Sequence, residues 1–144
     1  MRYNRVTGSS TTRLLSLVTV GIGTAVSAVV SAPAASAEVT NVSVIAGPDG
    51  LLTGCPYTVV AVVTTPPYEP GAVVFFNDGQ WLSGFGDYHP ENHTVTNTWT
   101  PQRTGGQDIT AVQTDPGGFN TRRYIRVNVV GAGINTGSGC ARTS

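Results

Sequence analysis

Thr94-Val-Thr-Asn-Thr-Trp-Thr-Pro-Gln-Arg-Thr-Gly-Gly-Gln-Asp-Ile-Thr-Ala-Val112 reads as strand, turn, strand. Val95, Asn97 and Trp99 share one parity while threonines fill positions 94, 96, 98 and 100, which is the period of a β-strand with one buried face. Pro101 brings no backbone donor and ends the run, and Gly105-Gly106 permits the turn. The alternation resumes over residues 108–113, so Trp99 and Ile109 are expected in one core under two adjacent sheets.

Outward from this unit the chain keeps the same grammar. Residues 38–46, with Val42 and Val44 on one parity, read as a first strand closed by Gly47-Pro48-Asp49-Gly50. Residues 57–64 read as a second strand: Tyr57, Val59, Ala61 and Val63 make one face, and Thr58, Val60 and Val62 the other. Residues 65–71 are too rich in proline for a central strand. Residues 73–76 form a third strand that turns at Asn77-Asp78-Gly79 into a short arm, 80–83, because Asp-Gly supplies the positive backbone angles of a tight hairpin. Residues 84–92 are expected to be a loop, and Asp115-Pro-Gly-Gly-Phe119 a turn into the last strand, where Ile125, Val127 and Val129 face inward and Tyr124, Arg126 and Asn128 outward. No helical periodicity follows the leader described next. About seven short strands with frequent turn signals specify an all-β antiparallel β-sandwich.

Residues 1–37 have the make-up of a secretory signal peptide. Arg2, Arg5 and Arg13 are basic, residues 14–30 are apolar or small, and Ala35-Ser36-Ala37 fits a small-residue cleavage site. A retained membrane anchor is the alternative, but serine, threonine and glycine dilute the run and it is short for a bilayer. The expected mature domain is residues 38–144, with no membrane span after cleavage, secreted to the extracellular space or the cell surface. Three of the eight basic residues leave with the leader and no acid does, so five arginines face eight acids and the net charge falls to −3. Such a balance argues against nucleic acid as partner.

Three motifs together resemble the bacterial Ig-like domains of the group 3 type. They are Gly71-Ala-Val-Val-Phe-Phe-Asn-Asp-Gly-Gln-Trp-Leu-Ser-Gly84, Thr98-Trp-Thr-Pro101 and Gly106-Gln-Asp-Ile-Thr-Ala111. The resemblance covers residues 40 to 130 and implies an immunoglobulin-like sandwich. The chain departs from the pattern at Asn97 and Gln113, where apolar and aromatic residues are usual, and in a longer, more polar loop over 83–93. In an Ig-like sandwich the second strand starts at the end where the last one finishes, so Cys55 and Cys140 are expected to form a disulfide in an oxidising compartment. The alternative is two free or intermolecularly paired thiols.

Other constellations are weaker. Asp87, His89, Glu91 and His93 alternate and on a strand would share a face, the spacing of a metal or acid–base cluster, but Pro90 places them in a loop and no metal or cofactor is expected. None of Ser43, Ser83, Ser138 and Ser144 sits in a Gly-x-Ser-x-Gly turn, and no lysine is present, so no catalytic residue is assigned. By parity Phe76, Tyr124 and Arg126 point away from the core, and Trp81 lies on the adjoining hairpin arm. Aromatics with arginine are what binding patches are enriched in. Two arrangements stay open: these residues form a contact surface, or residues 84–92, with Phe85 and Tyr88, fold over them. The expected function is a secreted, non-enzymatic binding or surface-interaction module for a protein or cell-envelope component. The alternative is a secreted inhibitor or a small-ligand carrier.

Overall fold

A computed structural model describes residues 37–137 and 139–143. The expected leader, apart from Ala37, lies outside the described residues. Ten strands follow one another among them: β1 (Val39–Ile45), β2 (Leu51–Thr53), β3 (Tyr57–Val63), β4 (Val73–Asn77), β5 (Gln80–Trp81), β6 (Asp87–His89), β7 (Thr94–Trp99), β8 (Gly105–Thr114), β9 (Asn120–Asn135) and β10 (Cys140–Arg142). Among the described residues no helix is long and apolar enough to cross a membrane.

The strands form two sheets, ordered β1-β3-β7-β6 and β10-β9-β8-β4-β5, with β2 added in parallel to β9. This is the immunoglobulin arrangement, A-B-E-D packed against A′-G-F-C-C′ with one further strand, β10, after G. The fold is thus the expected all-β sandwich, with more strands than about seven because β2, β6 and β10 are added. Residues 84–92, read as a loop, contain β6, and the glycine-rich tail holds the end of β9 and all of β10.

Alternation decides which face each strand buries. On β3, Tyr57, Val59, Ala61 and Val63 are buried and the intervening residues are not. Val73 and Phe75 on β4, and Gln107, Ile109, Ala111 and Gln113 on β8, oppose them from the other sheet. A register shift between Val39 and Asn41 lets both Val39 and Val42 face the core although their parities differ. Trp99 lies at the centre with only 2% of its surface exposed, pairs in register with Tyr57, and tilts its ring against that of Tyr57 at 6.4 Å between centroids. Pro101 is buried just beyond it and its carbonyl accepts a hydrogen bond from the Gly54 N–H at 3.0 Å. The amide nitrogens of the two inward glutamines find partners, Gln107 donating to the Arg103 carbonyl and Gln113 to that of Thr65, while the Gln113 side-chain oxygen stays buried without one. The second of these bonds anchors the proline-rich connection between β3 and β4.

Two short strands pair with the second half of β9. β2 pairs with Val129 to Ala132 and β10 with Gly133 to Asn135. Between them the Cys55–Cys140 disulfide joins the end of β2 to the start of β10, with 5.8 Å between Cα atoms. The bridge rests on Gly133, where a Cβ would lie 2.7 Å from the Cys55 sulfur and 2.9 Å from that of Cys140. No other residue fits there without displacing the bridge.

Candidate functional site

The outer face of the larger sheet is built by register. Trp81 on β5 pairs with Phe76 on β4, Phe76 with Thr110 on β8, and Thr110 with Tyr124 on β9. Paired residues project to the same side, so these four side chains form one row across four strands, about 14 Å from end to end at the usual strand spacing. Phe76 is half-buried, whereas Trp81 is 56% and Tyr124 71% exposed. The next row on one side is Val74, Val112 and Arg122, and on the other Asp108 faces Arg126. Tyr124 therefore stands between two arginines on its own strand. Arg126 reaches Asp108 at 3.4 Å, and Arg122 has no acid within ion-pair distance among the described residues.

The hairpin behind this row is held by Asp78. Its backbone φ of 47°, followed by 81° at Gly79, makes the tight turn that Asp-Gly favours. Its Oδ1 accepts the Asp108 backbone N–H at 2.9 Å, and its Oδ2 is bonded to Arg103. The Asp108 N–H is the main cause holding the Asp78 carboxyl below the usual carboxylate range, and Arg103 adds to it against partial desolvation. A depressed carboxylate pKa contributes stability that is present above the unfolded-state value, near 3.9, and lost as pH falls through the lower folded-state value. Asp78→Asn, which tolerates the same backbone angle, is expected to cost about 1 kcal/mol at neutral pH, less than a buried charged hydrogen bond because the side chain is 33% exposed. That difference from the native protein should shrink in urea titrations as pH falls below the ordinary carboxylate range. A difference that stays constant over that fall would refute the assignment.

Residues 84–92 do not cover the row. Asp87–His89 pairs with β7, so the segment joins the opposite sheet, and Tyr88 packs into the main core. Phe85 remains 68% exposed and lies over Gly71. Of the alternating acids and histidines, His89 is hydrogen-bonded to Thr96 at 3.0 Å and lies 3.5 Å from Glu91, while the His93 ring meets the Tyr88 hydroxyl at 3.4 Å. The turn at residues 90–93, where His93 has a φ of 54°, breaks the alternation. Among the described residues no group of three or more His, Cys, Asp and Glu side chains is placed to hold a metal ion.

Cys55 and Cys140 are bonded as the sequence led one to expect. Beside the bridge, a cleft of about 500 Å³ opens between the turn at residues 45–50 and the end of β9, with Tyr57 in its wall. The Tyr57 hydroxyl accepts the Leu52 N–H at 2.7 Å and donates to the Gly50 carbonyl. Arg122 escaped the sequence reading although its parity with Tyr124 and Arg126 was there to be used. Tyr68 and Glu69 escaped it because they sit in a proline-rich connection with no period. No protein-family model, curated protein or solved structure matches this chain.

Proposed function

We propose that this chain is a secreted, non-enzymatic binding module that engages a protein or cell-envelope component through the outer face of its larger sheet. The observation that carries the reading is the row Trp81, Phe76, Thr110 and Tyr124, with Arg126 and Arg122 beside Tyr124. Trp, Tyr and Arg are the residue types whose truncation most often costs an interface its affinity, and an exposed apolar patch rimmed by charge marks a contact surface. Arg103 is tied to Asp78 and Arg126 to Asp108, so the hairpin and the β9 guanidinium are held before any partner arrives. The leader composition, the disulfide and the group 3 resemblance support export, and the same sandwich serves many unrelated binding roles.

The test is a saturable co-sedimentation of residues 38–144 with purified cell envelopes. Trp81→Ala/Tyr124→Ala/Arg126→Ala changes only exposed side chains and is expected to keep the native melting temperature while losing more than tenfold in apparent affinity. Native-like binding by the triple variant would overturn the reading.

A further inference from the structure

The loop end of the sandwich carries a second set of side chains that the sheet face does not use. The connection from β3 to β4 and the one from β5 to β6 enclose a cavity of about 420 Å³ lined by the rings of Tyr68, Phe85 and Tyr88. The charged residues in that lining, Glu69 and Asp87, are both acids. Size and lining fall within the range of sites that accept a side chain or small ligand.

The walls are fixed by sterics. Gly71 has a φ of 89°, and a Cβ there would lie 2.9 Å from the Phe85 ring, so the ring sits directly on the backbone of the opposite connection. A Cβ on Gly86 would overlap a methyl group of Val95, which presses that segment onto β7. Pro67 and Pro70 fix their own φ angles, the Ala72 N–H donates to the Glu69 carbonyl at 3.1 Å, and Gln113 holds the Thr65 carbonyl from below.

The geometry points to a binding site for the guanidinium group of an arginine side chain presented by a partner polypeptide. Aromatic faces attract a cation through the ring quadrupole, and a planar guanidinium both stacks on such faces and meets carboxylates with paired hydrogen bonds. The cavity is larger than the head group alone and has room for the aliphatic stem. Its surroundings are negative as well: hydrogen bonding to Glu69, with the charges of Glu69 and Asp115 behind it, holds the Tyr68 hydroxyl above its usual pKa. This site is distinct from the sheet face, where arginines are displayed rather than received.

The experiment titrates 15N-labelled residues 38–144 with a blocked penta-arginine peptide and with its citrulline counterpart, which has the same shape and no charge. The arginine peptide is expected to give saturable shifts in the amides of residues 67–71 and 85–88, at least tenfold tighter than citrulline. Glu69→Gln/Asp87→Asn and, separately, Phe85→Ala change exposed side chains, should leave the melting temperature unchanged, and should each weaken binding at least tenfold or abolish it. Shifts scattered over the surface without saturation, equal binding of citrulline, or a Phe85→Ala variant that binds like the native protein would overturn the proposal.

Discussion

Replacing Trp99 with alanine is expected to lower stability by about 3–5 kcal/mol, measured by urea denaturation followed by circular dichroism. The indole is almost wholly buried, stacks at a tilt on Tyr57 and lies among the largest side chains of the core, with Phe75, Leu52 and Ile109. Its loss leaves a void bounded by strands of both sheets, and paired strands cannot close in on it without breaking their ladders. Because a domain of this size has only about 5–15 kcal/mol in total, the variant should lose a large share of its stability. Trp99→Phe keeps most of the buried area and should lose less than half as much. A loss below about 1 kcal/mol for alanine would show that Trp99 is not the centre of the core.

Removing the bridge as Cys55→Ala/Cys140→Ala is expected to cost about 2–5 kcal/mol. The closed loop spans 85 residues, for which chain entropy alone sets an upper guide of about 4.5 kcal/mol. The loss should also be local: hydrogen exchange is expected to quicken first at residues 140–143 and in β2, the two segments that the sulfurs join at the edge of β9. Besides the short β10–β9 ladder, Arg142 donates to the Asp49 carbonyl and the Thr143 N–H to that of Ala132. A double variant with native stability and unchanged exchange in β10 would refute this account.

What alternation could reveal, it revealed. β3, β4 and β8 bury the residues that parity assigns, and Phe76, Tyr124 and Arg126 lie on the outer side together with Trp81 because a register of antiparallel pairs follows from parity once the turns are known. The segments that escaped were those where tertiary context outweighs local signal. Leu51–Thr53 is three residues long between two glycines, too short to show a period, and it is a strand because β9 offers it an edge. Asp87–His89 stops beside Pro90, which was reason enough to read a loop, yet its pairing with β7 needs only three residues. The tail contains Gly131 and Gly133, which weaken a strand taken alone. Here Gly133 is required, since the bridge occupies the space a side chain would fill. The proposed arginine pocket was illegible for a similar reason: Tyr68 and Phe85 lie on separate connections and line one pocket because the Phe85 ring packs on Gly71, where a side chain would collide with it.

The pairing of β2 and β10 with β9 also sets the order in which this domain is able to assemble. β1, β3 and β4 can begin to organise once β7 and β8 are synthesised, but β2 waits for β9, which lies about eighty residues further along, and β10 follows β9. Pairings of such long sequence separation form slowly. Until β2 and β10 pair with it, the second half of β9 stands open, with unpaired backbone donors and acceptors ready to recruit a strand from another chain. A chain truncated before Cys140 would keep that opening permanently at residues 133–135. Pairing of β10 thus closes this part of the sheet, and the Cys55–Cys140 bond then locks it to a segment 85 residues earlier.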